Sequence, residues 1–193
     1  MKTLFYEDPS PTTPLAASIF LAGPTSTSTR TDWREIAIAR LSAKQFTGTV
    51  IVPEFRDGTF AERVPDRFGS PPSQVPGMRD ASYNILVWET NGIERVTVVL
   101  FWMPFVLDTS DDHASLPGFT TRAEVSREIV RDPRRIVLGM PMGALSASHI
   151  RFHAHRAGLQ IEHSLAATID AALVRVQQIA PIEPHVDFAE LSR

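Results

Sequence analysis

With 193 residues, 43% of them apolar, and a formal charge of -3, the chain has enough apolar material for one substantial core. It has no global positive field to gather a nucleic acid polymer or an anionic membrane, and the absence of cysteine excludes disulfides, thiol catalysis and thiolate metal sites. The start, Met1-Lys2-Thr3-Leu4-Phe5-Tyr6, lacks the apolar run of a secretory signal, and no segment approaches the roughly 20 apolar residues of a membrane span, so a soluble, cytoplasmic protein is expected.

Residues 1–17, broken by Pro9, Pro11 and Pro14, read as an irregular arm, part of which can join a sheet edge. Ser18-Ile19-Phe20-Leu21-Ala22 then gives a short apolar strand ended by Gly23-Pro24, followed by a Ser/Thr-rich loop and a helix over about 31–46. A second strand, 48–53, opens onto a polar loop at 54–72. The next helix spans about 73–91, with Asn91-Gly92 as its stop signal. Residues 95–103 are apolar at nearly every position, as in a central strand covered by helices on both faces. A second long loop, 104–118, precedes a helix over about 122–131, a strand at 135–139, a helix near 146–157 and a longer one near 162–179. In that last helix Ile161, Leu165, Ile169, Ala172, Val176 and Ile179 recur at helical spacing. The tail 181–193 stands outside the single α/β domain expected over 18–180.

Strands separated by helices predict a three-layer α/β fold with a mainly parallel sheet, whose ligand crevice lies beyond the carboxyl ends of the strands. Two long loops begin at such ends, and loops of that length usually shape a site. Glu124 sits where the helix after the second loop begins. Its spacing from Thr121 is that of a capping box, which would occupy the carboxylate structurally. The same place also suits a nucleophile at the mouth of a sheet, kept ionised by the helix dipole. Both readings stand open. On the preceding helix Val75, Met78, Ser82 and Ile85 step along one buried face, and the next position is Glu89. Burial near a helix C-terminus would raise its pKa and let it hold a proton, whereas a plain solvent-exposed last-turn glutamate is the rival account.

Trp33 and Arg34 read either as an aromatic platform and a ligand-binding guanidinium or as a packed tryptophan beside a solvated arginine, and Trp102 at the end of the central strand offers a wall for a base pocket. His149 and His153 are four apart, but no HExxH pattern or acidic third ligand accompanies them, so no metal site is expected. Asp111 and Asp112 lie in a loop without calcium-ligand spacing.

In order and spacing, Ile19-Phe20-Leu21-Ala22-Gly23-Pro24, Trp33-Arg34, Val52-Pro53-Glu54, Glu89-Thr90-Asn91-Gly92-Ile93, Val99 to Pro104 and Thr120-Thr121-Arg122-Ala123-Glu124-Val125 resemble the nucleoside 2-deoxyribosyltransferase family and related nucleoside N-glycosidases. The resemblance implies a Rossmann-like or flavodoxin-like fold and a homo-oligomer, dimer or larger, with a nucleoside or nucleobase as small-molecule partner and no cofactor. It makes Glu124 the nucleophile at the deoxyribose anomeric carbon. Glu89 stands where the family commonly has an aspartate that binds or protonates the base. Phe20, Gly23, Trp33, Glu54, Asn91, Trp102, Asp111 and Asp112 become the expected substrate-binding residues. Two positions depart from the family pattern: Phe20 replaces a tyrosine that orients the nucleophile, and Gly118 replaces a sugar-binding aspartate, leaving Asp111 or Asp112 to stand in. The implied reaction is 2-deoxyribosyl transfer between nucleobases; hydrolysis of the N-glycosidic bond and nucleoside binding without chemistry are the alternatives.

Overall fold

The computed structural model describes residues 1–24, 33–57, 78–104, 119–144 and 147–179. Strands without a polar face must be covered on both sides, and here β2 (Ser18–Ala22), β4 (Val98–Trp102) and β5 (Ile136–Gly139) are buried along their whole lengths. With β1 (Lys2–Leu4), β3 (Thr49–Ile51) and β6 (Ile161–Glu162) they form a six-stranded sheet of order β1-β3-β2-β4-β5-β6. Every neighbouring pair is parallel. Apart from the added edge strand β1, this is the flavodoxin-like order, whose topological switch point here falls between β2 and β4.

Alternate residues of a strand point to opposite faces, which divides the apolar runs between two cores. Ile19, Leu21, Val98 and Leu100 pack with Trp33, Ala37 and Leu41 of α1 (Trp33–Ala43) and with Ile169, Ala172 and Val176 of α5 (Leu165–Gln178). Phe20, Ala22, Val99 and Phe101 face the other way. They pack with Trp88 and Ile93 of α2 (Met78–Arg95), Val125 and Ile129 of α3 (Phe119–Arg131), and Ile150 and Ala154 of α4 (Ser148–Arg156). The three-layer α/β expectation holds.

Several boundaries differ from the sequence reading for local reasons. Strands β1 and β6 have three and two residues, too short for any periodicity to reveal. The last helix starts after Glu162 because Ser164 caps it, its Oγ accepting from the Ala167 amide at 3.1 Å. Gly92 does not stop α2, which continues to Arg95. A β-carbon there would stand 2.8 Å from Cε2 of the buried Phe20 ring, so the glycine serves the close approach of helix and sheet. Among the described residues no helix is long and apolar enough to cross a membrane.

Candidate active site

Two carboxylates from separate helices meet at one cleft on the α2/α3 face. Leu86, Glu89, Thr90 and Ile93 of α2 and Ala123, Glu124 and Arg127 of α3 line a volume of about 250 Å³. Helical spacing explains both sets: residues three or four apart share a face, so Leu86, Glu89, Thr90 and Ile93 make one wall and Ala123, Glu124 and Arg127 the other. Of the stripe Val75, Met78, Ser82 and Ile85 that leads to Glu89, Ile85 is buried and the other three side chains lie outside the described ones; Trp88 is buried, and Ile93, 2% exposed, also lines the cleft.

The Glu124 carboxyl is pushed up from 4.5 to about 7, first by burial and next by the negative field of Glu89 across the cleft. Glu128 adds to the rise, while Arg127 and Arg34 oppose it. Arg127 is half engaged elsewhere, since its Nε donates to the buried Glu128 carboxylate at 2.7 Å. The helix-dipole expectation therefore fails in sign. Helix α3 begins at Phe119 rather than near 122, which places Glu124 beyond the first turn, where the dipole has faded. The same early start puts Thr121 inside the helix, so the capping box does not form. A carboxyl near 7 is a charge that the fold has desolvated without supplying a matching cation.

Glu89 receives a hydrogen bond from the phenol of Tyr6, a residue of the arm. Sequence reasoning missed Tyr6 and Arg127. The first lies 83 positions from its partner, with no local signal; the second was legible as the neighbour of Glu124 three residues on, on the same helix face.

The other expected binding residues that the structure describes are not among those lining the cleft. Arg34, 1% exposed, sends Nε to the Leu21 carbonyl at 3.1 Å, Nη2 to the Gly23 carbonyl at 2.8 Å and Nη1 to the Pro24 carbonyl at 3.1 Å. It also pairs with Glu54 at 2.5 Å. The expected solvated or ligand-facing arginine is instead a clamp on the turn after β2, because three carbonyls of that turn converge where only a buried forked donor can satisfy them. Trp33 stacks on the guanidinium at 4.5 Å and donates its indole N–H to Pro24 at 3.2 Å. A β-carbon on Gly23 would meet the Trp102 carbonyl at 2.6 Å and the Trp33 ring at 2.7 Å. Trp33 and Trp102, each 7% exposed, belong to the core on the α1/α5 side, opposite the α2/α3 core that carries the two carboxylates. Phe20, 2% exposed, is a core residue against Gly92, and the Asn91 amide donates to Ser10 at 3.0 Å. Of the expected residues, the structure thus brings Glu89 and Glu124 together at the cleft. Asp111, Asp112 and Gly118 lie outside the described residues.

His149 and His153 approach at 3.1 Å on α4, and no cluster of three metal-ligating side chains is found among the described residues. No family model matches the chain, and no curated protein sequence matches it.

Proposed function

We propose that the protein transfers a 2-deoxyribosyl group between nucleobases through a covalent intermediate on Glu124. The observation that carries this reading is the convergence of Glu124 and Glu89 on one cleft, the field of one raising the pKa of the other. Paired carboxyls in unequal environments are the equipment of glycosidic-bond chemistry. The ionised Glu124 oxygen attacks the anomeric carbon, the N-glycosidic bond breaks, and the departing base takes a proton delivered from the Glu89 side. An incoming base then attacks the glycosyl ester, the ester bond breaks to free the Glu124 carboxylate, and the proton lost by the base nitrogen returns to the Glu89 side, with net retention of the anomeric configuration. At about 250 Å³ the cleft falls below the roughly 300–1,000 Å³ typical of ligand pockets. Two displacements through one covalent intermediate give a ping-pong order.

Hydrolysis is the second reading, favoured by Phe20, whose buried ring offers no hydroxyl to hold the nucleophile or order an acceptor. Binding without chemistry is the third. A homo-oligomer is part of the proposal; the exposed Leu86 and Val87 on α2 and Val130 on α3 are apolar surface available to a second copy, and light scattering tests it. Incubation with a panel of deoxynucleosides and an isotope-labelled acceptor base separates the readings. Transfer yields labelled nucleoside, hydrolysis yields free base and deoxyribose with no acceptor present, and retention of ligand without either product leaves binding alone.

A further inference from the structure

The arm that precedes β2 is fastened to the C-terminal half of α2. The Trp88 indole donates to the Asp8 carbonyl at 2.9 Å, the Asn91 amide to Ser10 at 3.0 Å, and the Leu15 amide to the Arg95 carbonyl at 2.8 Å. Its base is held as firmly. Strand β1 pairs with β3, the Tyr6 amide donates to the Glu54 carbonyl at 3.1 Å, and Asp8 accepts from the Phe5 amide and from Arg56. Within this frame the Tyr6 ring packs between Trp88 and Phe55, each centroid 5.1 Å away, and directs its hydroxyl to Glu89 Oε1. Tyr6 is not among the residues lining the cleft. It touches Glu89 from outside that lining, while Glu124 of α3 feels the Glu89 charge across the cleft.

We infer that Tyr6 is a positioning residue: its hydroxyl, bonded to Glu89 Oε1, holds the carboxylate in the orientation it presents to the ligand in the cleft. A half-buried glutamate late in a helix has several rotamers open to it, and a donor held by two aromatic neighbours and an anchored backbone favours one of them. The consequence rests on the proposed function, in which Glu89 serves the departing base. The hydroxyl then matters for a base that must be protonated as it leaves, and matters little for a base that is already cationic.

The test is Tyr6→Phe, which keeps the ring packing and removes only the donor. Thermal unfolding confirms that the variant is folded. With unmodified deoxynucleosides kcat is expected to fall about tenfold or more, with KM changed less than about threefold. With an N7-methylated purine deoxynucleoside, whose base leaves without a proton, the loss is expected to stay within about threefold. Equal losses on both substrates, or no loss on either, overturn the inference. If the wild-type protein turns over neither substrate, the proposed function fails by itself, and the carboxyl titration of Glu89 followed by carbon-13 NMR decides on Tyr6. Losing a donor to a carboxylate favours its protonated form, so the midpoint should rise in Tyr6→Phe, and an unmoved midpoint overturns the inference.

Discussion

The cleft between α2 and α3 and the turn after β2 are built from the same ingredients, arginine and glutamate beside apolar walls, yet they end in opposite states. At the turn, Arg34 satisfies three carbonyls and Glu54 neutralises its charge, so the ion is buried with its partner and its hydrogen-bonding groups are used. At the cleft, burial and a second carboxylate oppose the ionisation of Glu124, while the nearby Arg127 is divided with Glu128. A completed ion pair holds a fold together. An uncompensated carboxylate destabilises it and is free to react, which is the usual conflict between stability and a functional site.

The largest effect should come from Glu124→Gln, which removes the proposed nucleophile and, on that proposal, lowers turnover by about a thousandfold or more. The same change should not weaken the fold. A carboxyl raised from 4.5 to about 7 binds a proton more tightly in the folded than in the unfolded chain, so its contribution to stability falls as pH climbs through that window. Above pH 7 that loss is on the order of 3 kcal/mol, and denaturant unfolding of Glu124→Gln at pH 8 should show a gain over the wild type. Both proteins unfolding alike from pH 4 to pH 8 would remove the contrast between the two regions.

Glu54→Gln is the converse. It leaves the Arg34 charge buried without its counter-ion, costing about 3 kcal/mol of stability, with kcat changed by no more than a few fold. Melting temperature should drop by roughly 6–12 °C for a chain of this size. A collapse of kcat in a Glu54→Gln protein of unchanged stability would move Glu54 out of the scaffold and into the chemistry.

The pH profile sharpens the assignment within the cleft. If Glu124 acts as a nucleophile it must be ionised, so kcat/KM should fall about tenfold per pH unit below an apparent pKa near 7. A general acid gives the reverse, activity lost as pH rises through 7. Because Glu89 and Glu124 interact, the measured limb belongs to the pair. The smallest effect expected is that of Gly92→Ala. Its β-carbon would press on the Phe20 ring at 2.8 and 3.0 Å, for a net cost of about 1 kcal/mol after the gain in helix propensity. Adding Phe20→Leu should recover part of that stability in denaturant melts; no recovery would separate the glycine from the ring.

The sequence carried the four inner strands of the sheet and one wall of the cleft because both rest on local apolar patterns. Runs such as Val98 to Trp102 announce burial on two faces, and the buried stripe leading to Glu89 marks a helix edge. What it did not carry depends on distant partners. Nothing near Arg34 shows that three carbonyls of one turn will meet its guanidinium, and nothing near Tyr6 points 83 residues ahead to Glu89. Gly92 illustrates a third limit, since a glycine late in a helix has the same local signature whether it ends the helix or admits a neighbouring ring.

The most direct measurement is to trap the intermediate. A deoxynucleoside fluorinated at the 2′ carbon destabilises the oxocarbenium-like transition states of both displacements, and with a good leaving base the glycosyl ester should accumulate. Peptide mapping by mass spectrometry is predicted to find one glycosyl group, on Glu124. An adduct on another residue, or full turnover by Glu124→Gln, would contradict the account.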